Sequence, residues 1–138
     1  MERYYIDTCI WRDYYEGRAD RLRPLGEWAL AFFNMVIEEK HIIVYSEFVV
    51  EELRGRYNQS QIKDIFRLIE TEGLLQKAEI SVAEVKEAVR ISKERKLVFG
   101  DTLHAVVAKK EGCILVTRDY HFIELWDIVE IKKPEELI

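Results

Sequence analysis

Four acidic residues, Asp7, Glu52, Asp101 and Asp119, stand where a carboxylate could do more than face water. Asp7 closes a short β-prone run, Arg3 to Asp7, and the Thr-Cys-Ile-Trp that follows leaves it no obvious turn role. Asp119 follows the apolar run Cys113 to Thr117, within a polar turn from Arg118 to His121, and Asp101 opens a helix after Gly100. Glu52 is separated from Glu47 and Glu51 by helical phase. Val49 and Leu53 mark a buried stripe, Glu52 lies about 60° from Val49 with Phe48 one turn before it, and the other two point away. A carboxylate at the margin of a buried stripe needs a partner, and a shared cation is one such partner. Carboxylates without histidine or thiolate companions are hard oxygen ligands, which favours Mg²⁺ or Mn²⁺ over zinc.

Each acid also has a plainer reading by itself. Asp101 fits a helix N-cap, Asp119 a turn residue and Glu52 a solvated helix position. The chemical case therefore rests on the four as a set.

The elements that must position them follow from periodicity. Leu25 to Lys40 carries apolar residues at helical spacing, and His41 to Tyr45 is a buried-strand run. Ser46 reads as the N-cap of a helix from Glu47 to about Arg56, ended near Gly55, and a further helix runs from about Ser60 to Glu72 and stops at Gly73. Lys77 to Ile80 reads as a strand. Ser81 caps a helix to about Arg95, with Glu84 spaced as in a capping box. Asp101 begins a helix to about Glu111, Gly112 ends it, Cys113 to Thr117 is a strand, and a last short strand lies around Asp127 to Ile131. This alternation predicts an α/β chain: a three-layer α/β/α domain whose central parallel sheet has four to five strands joined by right-handed crossovers. In such sheets the functional crevice lies beyond the carboxyl ends of the strands, where Asp7 and Asp119 fall. Topology alone does not bring Asp101 to the same end.

Length and composition fit one globular domain over residues 1–138: 49% apolar, 34% charged, six glycines and two prolines. Cys9 and Cys113 sit far apart inside apolar runs, the usage of buried small hydrophobes in a reducing compartment. No basic-then-apolar leader begins the chain, and Trp28 to Ile37 is too short to span a bilayer, so a cytoplasmic protein without a membrane partner is expected. The net charge of −5 counts against polyanion binding, yet setting the four acids aside leaves −1. Arg18, Arg21 and Arg23, and Lys93, Arg95 and Lys96, form two basic clusters that suit a phosphate backbone or a solvated face.

Taken together, the motifs resemble those of PIN-domain nucleases, in particular the toxins of VapBC-type toxin–antitoxin pairs. The first is Tyr-Tyr-Ile-Asp-Thr-Cys-Ile-Trp, with Asp7 and the Thr8 hydroxyl. The second is the Ser46-started helix in which Leu53 marks Glu52. The third is Phe-Gly-Asp-Thr-Leu-His-Ala-Val-Val-Ala, with Asp101, and the fourth Gly-Cys-Ile-Leu-Val-Thr-Arg-Asp-Tyr-His-Phe, with Thr117 and Asp119. The resemblance runs in order along essentially the whole chain. Two features depart from it: His104 stands where many relatives have an apolar or small polar residue, and the fourth acid varies in position among relatives.

The resemblance implies an endoribonuclease that uses Mg²⁺ or Mn²⁺. Asp7, Asp101 and Asp119 would hold one or two ions, and Glu52 would be a further ligand or orient the attacking water. Thr8 and Thr117 would hydrogen-bond ligands or a phosphate oxygen. His104, one turn from Asp101, would touch substrate or hold Asp101, unless it is a satisfied structural histidine; His41 and His121 receive no role. Trp11, Tyr14 and Tyr15 are candidates for base stacking, for a dimer interface or for the domain's own core. RNA is the implied substrate, an antitoxin protein a possible partner and a homodimer the expected assembly. Three other readings compete: a PIN-fold protein-binding module, an RNA-processing nuclease without a toxin role, and a phosphatase with Asp7 as nucleophile. The last usually needs a second Asp two residues on, where this chain has Cys9.

Overall fold

In the computed structural model, which describes residues 1–138, the chain forms five strands and six α-helices. In order they are β1 (Arg3–Ile6), α1 (Thr8–Glu16), α2 (Leu25–Glu39), β2 (Ile42–Ser46), α3 (Glu47–Arg54), α4 (Gln59–Thr71), β3 (Leu75–Ala78), α5 (Val82–Arg95), α6 (Phe99–Lys110), β4 (Ile114–Val116) and β5 (Ile131–Lys132). Short 3-10 helices cover Tyr120–Leu125 and Pro134–Glu136.

All five strands are parallel, in the order β3-β2-β1-β4-β5. β2 and β3 lie on one side of β1 and β4 and β5 on the other, so the winding reverses between β1 and β4. That reversal opens a crevice at the carboxyl ends of the two strands. Register brings Ile6 beside Val116, which sets Asp7 and Thr117 next to each other at its mouth.

Tyr4 and Tyr5 show why the sheet is covered on both sides. Consecutive strand residues point to opposite faces. The Tyr4 ring meets Phe32 of α2 edge-on at 5.1 Å, while the Tyr5 hydroxyl reaches His104 of α6 at 2.8 Å. On the α2 side, Trp11 of α1 stacks on Phe33 at 5.0 Å and meets Phe66 of α4 at 4.7 Å. Its buried indole Nε1 has no partner, a deficit of ~1–3 kcal/mol that burying the ring offsets with a similar ~1.5–3 kcal/mol, before the aromatic pairing is added. On the other side α5 and α6 pack antiparallel, with Glu84 early in α5 bonded to Lys110 at the end of α6 (2.8 Å). Hence α6 begins at the carboxyl end of the sheet and delivers its first turn to the crevice. No helix is long and apolar enough to cross a membrane.

The structure differs from the predicted elements in five places. α1 occupies Thr8–Glu16, where no helix is predicted. β3 starts two residues early, at Leu75. The polar turn after β4 continues into a 3-10 helix, and the last strand shrinks to Ile131–Lys132. Ser46 occupies the N-cap position of α3, but its hydroxyl bonds the Tyr5 hydroxyl at 2.6 Å instead of capping the helix. The Ser81–Glu84 capping box forms as expected, with the Ser81 amide donating to Glu84 at 3.0 Å.

Candidate active site

Asp7 is held by the two strands that flank the crevice and by the helix it starts. Its amide still donates to Val116 O of β4 at 2.9 Å, and its Oδ1 accepts the Thr8 amide at 2.9 Å as the N-cap of α1. The Thr117 hydroxyl donates to Oδ2 at 2.8 Å and the Cys9 thiol to the same oxygen at 3.1 Å. Asp7 is 7% exposed and sits at the N-terminus of α1.

Glu52 projects from α3 into the same crevice, while Glu47 and Glu51 face outward and pair with Arg54. Its Oε1 accepts the Thr8 hydroxyl at 2.7 Å and His104 Nε2 at 2.6 Å. Burial pushes the carboxyl up, but the hydrogen bonds and charge from His104, with the Thr8 hydroxyl, outweigh it and hold Glu52 below the usual range. His104 is 1% exposed and sits between Glu52 and the Tyr5 hydroxyl, so it braces Glu52 and not Asp101.

Asp101 lies in the first turn of α6, whose N-cap is Val98, so the capping reading does not hold. Its carboxylate accepts no hydrogen bond and makes no ion pair. Burial, with repulsion from Asp119 and then Asp7, pushes it up to about 6. Asp119 caps the following 3-10 helix by accepting the His121 amide at 2.9 Å, and its own amide donates to the Thr117 hydroxyl at 3.1 Å. His121 Nδ1 stands 2.8 Å from Asp119 Oδ1.

Asp7, Glu52, Asp101 and Asp119 thus line one cleft of about 380 Å³, together with Thr8, Cys9, Arg12, Gly55 and Arg56. None of the four pairs with a lysine or arginine. The carboxylates could hold a hard divalent cation, which would relieve the repulsion among them. Within the cleft, single ligand atoms of Asp101, Asp119 and His121 lie within 4.8 Å of one another, as do those of Asp7, Glu52 and His104. In the second set His104 Nε2 is committed to Glu52, which leaves the two carboxylates as the free donors.

Several cleft residues escape sequence reasoning. His121 has only its spacing two residues after Asp119 as a signal. Arg12 and Arg56 lie outside both basic clusters, in which Arg18 pairs with Asp13, Arg23 with Asp20 and Arg95 with Asp127. Cys9 is half-buried beside Asp7, not a core filler. Trp11 is fully buried, while Tyr14 packs on Phe33 and Tyr15 on Tyr57, so these aromatic residues serve the domain's own packing. His41 is structural, accepting the Glu2 amide at 2.9 Å.

A doubly wound parallel sheet with an acidic cleft at its switch point defines the class of this α/β protein. The sequence matches the PIN domain family over residues 4–126, and the chain belongs to that family. No curated protein sequence matches it. Among solved structures, it is similar to VapBC2 from Rickettsia felis bound to a DNA fragment from its promoter, with TM-score 0.68 and 16% identity over 95% of this chain and 98% of that one. A toxin–antitoxin complex from Klebsiella pneumoniae gives TM-score 0.64 and 18% identity over 94% and 96%. PAE2754 from Pyrobaculum aerophilum gives 0.56 and 18% over 99% and 86%. At these identities the likeness concerns the fold.

Proposed function

We propose that the chain is a metal-dependent endoribonuclease that hydrolyses RNA phosphodiester bonds, with Asp7, Glu52, Asp101 and Asp119 as its catalytic carboxylates. Membership in the PIN family supports nuclease chemistry. The observation that carries the reading is the convergence of four carboxylates from distant segments in one cleft, none paired with a lysine or arginine.

Asp7, Asp101 and Asp119 are the residues that would hold Mg²⁺ or Mn²⁺, and the imidazole of His121, a softer donor, favours Mn²⁺ within that pair. A bound divalent ion supplies charge neutralisation and a more acidic water at the cleft. Glu52, low-titrating and fixed by Thr8 and His104, accepts a hydrogen bond from the attacking water and orients it towards phosphorus. Thr8 and Thr117 fix the carboxylates at their places. Arg56, which has no ion-pair partner, supplies a cation for the phosphate backbone, with Arg12, which is shared with Glu16, beside it.

Complexes of toxins with antitoxins among the similar structures support a toxin role, with an antitoxin protein as partner. We propose further that the chain is a single domain acting in the cytoplasm, and, from its motif resemblance to PIN toxins, that it forms a homodimer.

The test is cleavage of structured and single-stranded RNAs with Mg²⁺, with Mn²⁺ or with chelator, using the native chain, Asp7→Asn and Asp101→Asn. Expected are activity that needs the ion and a loss of at least ~100-fold in kcat for each variant. Activity that survives chelation, or both substitutions, would remove the nuclease reading.

A further inference from the structure

Beside the acidic cleft lies a second, smaller cavity of about 210 Å³, lined by Lys96, Leu97, Val98, Asp101, Tyr120, His121, Glu124 and Leu125. Asp101 is the wall common to both cavities. We propose that this cavity is a nucleobase subsite, which takes the base flanking the scissile phosphate by stacking it on Tyr120. The proposal rests on the nuclease reading for its placement next to the cut.

Position argues for it first. A phosphate seated at Asp101 and Asp119 leaves the adjoining base within one nucleotide of the cavity, because Tyr120 follows Asp119 directly and Asp101 borders both spaces. Size comes next: 210 Å³ falls below the ~300–1,000 Å³ of pockets that enclose whole small molecules, which suits one ring system.

The chemistry of the lining agrees. Tyr120 is 72% exposed, an unusual state for a large aromatic residue in the wall of a pocket. One side of its ring is covered by the His121 imidazole, with centroids 4.2 Å apart and planes 34° apart. His121 is itself tied to Asp119, so the acid cluster holds the aromatic platform in place. Leu97, Val98 and Leu125 make an apolar floor, and stacking on such a platform accepts any base through its π-face.

Two charged groups are free. Neither the Glu124 carboxylate nor the Lys96 ammonium has a hydrogen-bond or ion-pair partner. A carboxylate accepts from the exocyclic amine of cytosine or adenine, which uracil lacks, so Glu124 biases the subsite towards amine-bearing bases. Lys96 is placed for the next phosphate.

The experiment compares native, Tyr120→Ala, Tyr120→Phe and Glu124→Gln proteins on one single-stranded RNA, unmodified or carrying a single abasic nucleotide moved along it. KM and kcat are measured with Mn²⁺, and binding is followed by fluorescence anisotropy without metal. Tyr120→Ala is expected to raise KM and the dissociation constant by about tenfold to a hundredfold, while Mn²⁺ affinity stays unchanged and Tyr120→Phe behaves as native. One abasic position next to the cut should reproduce that loss in the native protein and add nothing in Tyr120→Ala. Glu124→Gln should erase the preference for cytosine over uracil at that position. Unchanged RNA binding by Tyr120→Ala, which is what a pocket for a partner protein's apolar side chain would give, overturns the proposal. So do additive losses. If the native chain binds RNA but cuts none, the nuclease reading falls, and the anisotropy series still decides the subsite.

Discussion

His104 has one ring nitrogen on the Tyr5 hydroxyl and the other on Glu52, and the direction of those bonds limits what it can do. Glu52, held in its anionic form, is an acceptor only, so His104 Nε2 must carry the proton between them. Its Nδ1 meets the Tyr5 hydroxyl at 2.8 Å, and that hydroxyl meets the Ser46 hydroxyl at 2.6 Å. The row ends on one oxygen of Glu52, which makes His104 a positioning residue. His104→Ala should lower kcat by about 10–100-fold with little change in KM, whereas His104→Gln, which keeps a donor near Nε2, should recover most of the loss. Combining His104→Ala with Glu52→Gln should cost no more than Glu52→Gln alone; full additivity in the measured kcat would refute the coupling. Asp7 is legible in the sequence because it closes a short strand, Asp119 because it follows an apolar one, and Glu52 because its helical phase differs from that of its acidic neighbours. The contact of His104 with Glu52 spans 52 residues and leaves no trace in local spacing. His121 was equally illegible, since its partner Asp119 itself reads as a turn residue.

At the level of elements, α1 falls where no helix is predicted. Thr8–Glu16 does carry Ile10, Trp11 and Tyr14 at helical spacing, but its threonine, cysteine, isoleucine and aromatic residues have weak helix propensity. It forms because Asp7 caps it and because Ile10 and Trp11 are buried against α2 and α4. The longer amphipathic helices α2, α4 and α5 were legible to within a residue or two. The final strand was overextended because Asp127 to Val129 stays outside the ladder and only Ile131–Lys132 pairs with β4. The α1–α2 contact needs a glycine. A Cβ at Gly26 would lie 2.7 Å from Asp13 O and from the Gly17 Cα, both backbone atoms. Gly26→Ala should therefore part the two helices and destabilise the fold by about 1–3 kcal/mol, measured as a lowered midpoint of urea unfolding. An unchanged midpoint would show that the helices slide apart without strain.

For the whole molecule, the crowded carboxylates make stability depend on both pH and metal. Asp101 titrates near 6 in the folded chain, above its ordinary 3.8. The folded state therefore binds this proton more tightly than the unfolded state does. The penalty for its charge is complete above about pH 6 and is relieved as pH falls towards 3.8. Without metal, Tm should rise as pH is lowered from about 7 to about 5, and Asp101→Asn should flatten that trend. Excess Mn²⁺ should raise Tm at about pH 7 and lose this effect near pH 5, where the ion must displace a proton. A Tm that ignores Mn²⁺ at both pH values would mean that the cleft does not gather an ion.

The hydroxyl of Thr117 grips the carboxylate of Asp7 across 110 positions of the chain. A growing polypeptide that has not yet released β4 and its following turn therefore lacks both the clasp on its first acid and the whole of its last one. Such a fragment has no complete acidic cleft, so the site can assemble only once the chain has been made through Asp119.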